Sequence, residues 1–247
     1  MVLSAMKALL VALASLILLP MAVASTAQER DAGVPWYAQR RDSSGQAPDP
    51  RRVEDAVVQV YAARAVGWRA IFAVHTWIAI KPRGAERYTR YEVMGWGVGQ
   101  GAPAVRVDRT GPDNYWFGAR PELLVERRGP EAEALVDKIR MAVASYPYAD
   151  SYVTWPGPNS NTFVAHVGRE VPELGLVLPS TAIGKDYLPG GALVATTPSG
   201  TGLQLSLFGL AGLTLAKSEG LEINLLGLSL GISAFPPSLK LPGIGSL

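Results

Sequence analysis

Two segments 85 positions apart carry the residue types that acyl-transfer chemistry uses. Val74-His75-Thr76-Trp77-Ile78-Ala79-Ile80 is an apolar run with a single histidine. Trp155-Pro156-Gly157-Pro158-Asn159-Ser160-Asn161-Thr162-Phe163 is a stiff turn that delivers a hydroxyl to the first turn of an expected helix. Serine becomes a nucleophile when a base within hydrogen-bond reach takes its proton, and histidine suits that task near pH 7. A helix start adds its dipole and free backbone N–H groups, both favourable to an oxyanion. The candidate catalytic set is therefore Ser160 as nucleophile, His75 as general base and Glu92, in Tyr91-Glu92-Val93, as the group that orients the imidazole. The N–H groups of Asn161 and Thr162 are the expected oxyanion donors. Each residue also has a plainer role. Asn159, Ser160 and Asn161 are all good N-caps, and a lone histidine in an apolar strand is commonly a hydrogen-bonded core residue.

Other chemistry finds little support. His75 and His166 are the only histidines, with no H-x-H or H-E-x-x-H spacing, so no metal or other cofactor is expected. His166 is expected to be structural or to bridge to Asp186 or Glu170. Trp96-Gly97-Val98-Gly99-Gln100-Gly101 lacks the lysine of a phosphate loop, and Ser199 lacks the G-x-S-x-G frame. Trp77, Trp96, Tyr152 and Trp155, with Asn159 and Asn161, could line a cleft that holds a peptide, glycan or lipid. Binding without chemistry is the expected function, and an amide or ester hydrolase or acyltransferase is the alternative.

The elements that must position these residues follow from periodicity. Val53, Ala56, Val57, Val60 and Tyr61 recur at helical spacing and predict a helix over about residues 50–65. Trp68 to Lys81 alternates and predicts a strand, and Arg87 to Met94 predicts a second, with Gly84 in the turn of a hairpin. Hairpin partners share a face, which is what brings Glu92 towards His75. Pro130 opens a helix with Leu135, Ile139, Ala142 and Val143 as its buried stripe, and a further helix follows Pro158. The order is that of an α+β layer fold.

The chain divides into an N-terminal segment 1–24, a polar arm 25–51, an α+β domain 52–190 and a glycine- and leucine-rich β appendage 191–247. In the appendage Gly202-Leu203-Gln204-Leu205-Ser206-Leu207-Phe208-Gly209-Leu210 recurs 18 residues later as Gly220-Leu221-Glu222-Ile223-Asn224-Leu225-Leu226-Gly227-Leu228. The two copies are expected to flank Leu213-Thr214-Leu215 in a β-meander. The leucine face is expected to cover the main core, because large exposed apolar patches are uncommon. Docking of residues 202–232 on a membrane or partner is the alternative.

Lys7 precedes an apolar run from Ala8 to Leu19, then Pro20 and Ala22-Val23-Ala24, a pattern that predicts a secretory signal peptide with an uncleaved anchor as the alternative. The protein is expected to be exported, periplasmic or attached to the cell envelope. Without cysteine, its stability must come from a core rather than disulfides. Without Lys7 the chain has 22 basic and 21 acidic residues, a balance that argues against nucleic acid as a partner.

The segments around His75, Tyr91 to Gly97 and Trp155 to Phe163, with Ala182 to Tyr187 and the glycine-leucine tail, resemble an uncharacterised bacterial envelope family, domain-of-unknown-function family 3750. That resemblance implies no established activity. The sequence is more distantly similar to circularly permuted papain-like hydrolases of the lecithin:retinol acyltransferase and cell-wall endopeptidase kind. Their histidine comes first, on a strand, and an Asn-Cys pair opens a later helix. On that template His75 matches the histidine and Asn159-Ser160 matches Asn-Cys, with serine in place of the thiol. The resemblance implies a papain-like or similar layer of helices on a small antiparallel sheet.

Overall fold

The computed structural model describes residues 7, 15–16, 18–25, 34–35 and 37–247. The expected signal peptide and the first part of the arm lie partly outside the described residues. Residues 18–25 are helical, and Met21 and Ala24 sit against Gly243. No described helix is long and apolar enough to cross a membrane.

An antiparallel sheet of five strands forms the body, in the order β4-β3-β2-β1-β5. Its strands are β1 (Val57–Arg64), β2 (Val74–Lys81), β3 (Thr89–Val93), β4 (Val105–Val107) and β5 (Glu122–Arg128). β1 overturns the helix expected over residues 50–65. Residues Val57 to Ala63 are buried on both faces, so the alternation of a half-wet strand is lost and the apolar spacing imitates a helix. Its β-branched Val57, Val58 and Val60 suit the pleat better than a helix. β2 starts later than expected, since Gly67–Ile71 is a short 3-10 turn. The β2–β3 hairpin forms, with Gly84 at φ +70° in its connection.

Two helices cover one face of this sheet. α1 (Gly129–Ala144) has Pro130 in its first turn and buries Leu135, Ile139 and Ala142. α2 (Ser160–Glu170) contributes Phe163, Val164 and Val167, which pack with Val58, Val60, Ile78 and Ile80. The opposite face is closed by Tyr61, Trp77 and Trp116. A loop around Asp113 lies over that side, and the arm is fastened to it. Ser43, Ser44 and the Gln46 N–H all donate to the buried Asp113 carboxylate.

The tail is a seven-stranded antiparallel meander whose order simply follows the sequence. Its first strands are β6 (Val194–Thr196), β7 (Gly202–Leu207), β8 (Ala211–Ala216) and β9 (Gly220–Leu225), followed by β10 (Leu228–Ala234), β11 (Pro237–Leu241) and β12 (Gly245–Ser246). The repeat copies are β7 and β9, which flank β8 and so run parallel to each other. The polarity of the sheet is the reverse of the expectation. Gln204, Ser206, Glu222 and Asn224 are buried against the body, whereas Leu203, Leu205, Leu221 and Ile223 are exposed.

The cause is the surface the sheet meets. Asp186 accepts hydrogen bonds from Lys185, Gln204, Asn224 and Ser229, and Lys185 also reaches Glu222 at 2.7 Å. Lys240 holds the other oxygen of Glu222. Burial pushes the Lys185 pKa down, but Asp186 and Glu222 outweigh it and hold the ammonium charged. Burial likewise pushes Glu222 up, and the two lysines overcome it, keeping the carboxyl below its usual range. Buried charges need partners. A charged patch on the body therefore selects the polar face of the sheet and turns the leucines outward.

Candidate functional site

His75 sits on β2, the central strand, opposite Ala63 of β1. Glu92 pairs directly with Trp77, one diagonal step from His75, and its Oε2 lies 2.9 Å from His75 Nε2. Arg90 Nη2 donates to the same oxygen at 2.7 Å. Burial is the strongest influence on Glu92 and pushes it up, but His75 and Arg90 together hold it below the ordinary carboxylate range. Burial also dominates at His75 and, despite the pull of Glu92, keeps its pKa below the usual imidazole value. The pair is therefore a carboxylate and a neutral ring. An ionised carboxylate can only accept, so Nε2 carries the proton and Nδ1 keeps its lone pair. Nδ1 has no partner among the described residues. Trp116 stacks on the imidazole at 3.7 Å and 9°, which fixes the plane of the ring.

The start of α2 is woven into its surroundings by every polar side chain but one. Asn159 is the N-cap, and its Oδ1 accepts from the N–H groups of Asn161 and Thr162 at 2.9 and 3.2 Å. Its amide donates to Thr154 O and Ile183 O. Asn161 donates to Val74 O and Ile183 O and accepts from Thr76. Thr162 donates to Gly184 O at 2.8 Å. Gly184 is at φ +99°, and a Cβ there would stand 2.3 Å from Asn159 Nδ2, so only glycine lets the loop come this close. Capping is thus the work of Asn159. The Ser160 hydroxyl has no partner among the described residues.

These bonds bring the two sequence segments together. Val74 and Thr76, the neighbours of His75, are bonded to Asn161 and to Ser160 O respectively. His75 and Ser160 share the wall of one cavity of about 610 Å³. No hydrogen bond joins them. The expected oxyanion donors need correction: the N–H groups of Asn161 and Thr162 are taken by Asn159, leaving the Ser160 N–H as the first-turn donor without a described partner.

Trp96, Tyr152, Trp155, Asn159 and Asn161 all line the cavity. Trp77 does not reach it. Its ring is fully buried between Tyr61 and Arg90, behind Trp116, and its Nε1 donates to Pro112 O. His166 bridges to Ser145 Oγ and Ala142 O, tying α2 to α1, rather than to Asp186 or Glu170. Ser199 is bonded to Glu219 at 2.6 Å inside the tail junction. Sequence reasoning missed Trp116, which lies in a turn-rich loop without periodicity, and Arg90, whose charge reads as a surface group but is only 1 % exposed.

A family model described as a protein of unknown function, DUF3750, matches residues 55–187, more than half of the 247 residues. The chain belongs to the DUF3750 family. The part it shares with that family contains His75, Glu92, Ser160 and the cap around them, and ends one residue past Asp186. The meander lies beyond the match. No curated protein and no solved structure matches the chain.

Proposed function

We propose that this DUF3750 protein cleaves or transfers an acyl group at an ester or amide bond. Ser160 is the nucleophile, His75 the general base and Glu92 the residue that positions it. The observation that carries the proposal is selective. In a run of four polar side chains at a helix start, three are locked by hydrogen bonds, and the fourth is a hydroxyl on a cavity wall it shares with a neutral, carboxylate-held histidine.

Ser160 Oγ would attack the carbonyl carbon while its proton passes to His75 Nδ1. Glu92 then stabilises the imidazolium, and the Ser160 N–H faces the developing oxyanion. Collapse breaks the bond to the leaving group, which takes the proton from Nδ1, and water or another acceptor repeats the sequence to release the acyl group. Catalytic hydrogen bonds are often long without substrate, so a missing Ser160–His75 bond is compatible with this course. A histidine on a strand ahead of a nucleophile at a helix start is also the order of permuted papain-like enzymes. An exported, envelope-facing location belongs to the same proposal and rests on the pattern of residues 1–24.

The aromatic wall favours a second course, retention of an apolar ligand without chemistry. A fluorophosphonate probe separates the two. Labelling of the parent protein at Ser160, lost in Ser160→Ala and His75→Ala, is the expected result. Absence of labelling between pH 6 and 9, with ligand retention lost in Trp155→Ala but kept in Ser160→Ala, would replace catalysis by binding.

A further inference from the structure

The outer face of the meander has the chemistry of a surface made for hydrocarbon. One cross-strand row runs Leu203, Leu215, Leu221, Ile232 and Leu239 over five strands, all of them between 41 and 67 % exposed. Of the outward strand positions between Val194 and Leu239, Thr196 alone is not apolar, and none is charged. A protein partner would be met by about one hydrogen bond per 100–200 Å², and this face offers almost nothing to make one.

The turns at one end of the sheet point the same way. Leu207–Leu210 is closed by a 2.9 Å hydrogen bond, with Phe208 and Gly209 at φ +54° and +73°. Leu226 and Gly227 repeat the geometry at +54° and +83°. Two-residue hairpin turns with both φ positive favour Asn-Gly or Asp-Gly, because a bulky side chain is strained in that region. Here the strained positions carry Phe208 and Leu226, which are 51 and 65 % exposed. Strained positions whose large apolar side chains stay more than half exposed suggest a contact outside the fold.

This end of the sheet is also the edge of the cavity. Leu226 and Leu228 line it, and Trp155 Nε1 donates to Leu226 O. Trp68, Trp96 and Trp155, between 49 and 67 % exposed, belong to the same wall. Tryptophan concentrates where hydrocarbon meets water.

We propose that the outer face of the meander, led by Phe208 and Leu226, docks on a lipid bilayer, so that the cavity opens towards the acyl chains. The sheet lies on the bilayer rather than spanning it, since its edges are open. This docking does not depend on the chemistry at Ser160. Because the face carries no charge, binding should need no anionic lipid and should persist in high salt.

The test is flotation of the full chain with phosphatidylcholine vesicles at 0.1 and 1 M salt, beside a Phe208→Asn/Leu226→Asn double variant. The substitutions install the favoured Asn-Gly turns, so the melting temperature should hold or rise while vesicle partitioning falls at least about tenfold. Equal flotation of parent and variant would overturn the proposal, and so would failure of the parent to float. A lipid-free dimer in sedimentation that Leu215→Ser dissociates would also overturn it, by giving the face to a second copy.

Discussion

Replacing Glu92 with glutamine tests the centre of the site, because one oxygen of this residue serves two donors. The substitution keeps the shape and removes the charge. Arg90, 1 % exposed, is then a buried guanidinium opposite a neutral amide. Removing one member of a buried ion pair costs about 3–5 kcal/mol. Arg90 keeps its bond to Gly111 O at 3.1 Å and its place 4.0 Å over the Trp77 ring, so a loss of about 3 kcal/mol is expected. That is a large share of the roughly 5–15 kcal/mol of a typical fold. The chemical effect has a separate origin. If the single amide oxygen turns to Arg90, the amide N–H faces His75 Nε2 and drives the ring proton to Nδ1. The atom that should accept the Ser160 proton is then blocked, and activity should fall by about 10²–10⁴. Urea unfolding followed by tryptophan fluorescence gives the stability, and the rate of fluorophosphonate labelling at pH 7.5 gives the chemistry. Unfolding free energy within about 0.5 kcal/mol of the parent, the range of an ordinary surface change, would refute the buried carboxylate–guanidinium pair.

Ser160→Ala should abolish labelling while leaving stability within about 0.5 kcal/mol, because the hydroxyl has no described partner to lose; a loss above about 2 kcal/mol would make it structural. Gly184→Ala forces a Cβ to within 2.3 Å of Asn159 at φ +99° and should destabilise by about 2 kcal/mol or more, read as a lower urea midpoint. His75 and His166 both have depressed pKa values through burial, so the unfolded chain binds protons first as pH falls. Their stabilisation is complete above about pH 6.5 and is lost below it, with Glu92 and Glu222 adding a further loss below about pH 4.5. Urea midpoints that stay level from pH 8 to 4 would contradict those directions.

The body was legible where periodicity and punctuation agreed. Pro130 opens α1, one of the three cap candidates at 159–161 caps α2, and Gly84 turns the β2–β3 hairpin. It was not legible where burial on both faces erased the alternation, as along Val57 to Ala63. The site was half legible. Strand parity brings Glu92 to His75, but it also turns His75 to the sheet face away from α2, where Trp116 reaches it through a loop that no local rule places. Thr76 is the β2 residue that meets the Ser160 turn. The tail shows the limit of patterning. Alternation establishes that Leu203 and Gln204 face opposite ways and is silent on which side is wet. That choice was made by Lys185 and Asp186 on the body, far along the chain from most of the strands they orient.

A sheet that keeps its leucines in water when folded has a calorimetric consequence. Denaturant slopes and unfolding heat capacity scale with the apolar area newly hydrated, and for β7 to β11 much of that area is hydrated from the outset. In lipid-free water the 247-residue chain should therefore unfold with the slope and heat capacity of a smaller protein. Its two sheets should also answer temperature differently. Cooling weakens the hydrophobic contacts that hold the helices to the five-stranded body, whereas the meander rests on backbone bonds and a charged seam that draw little from that source.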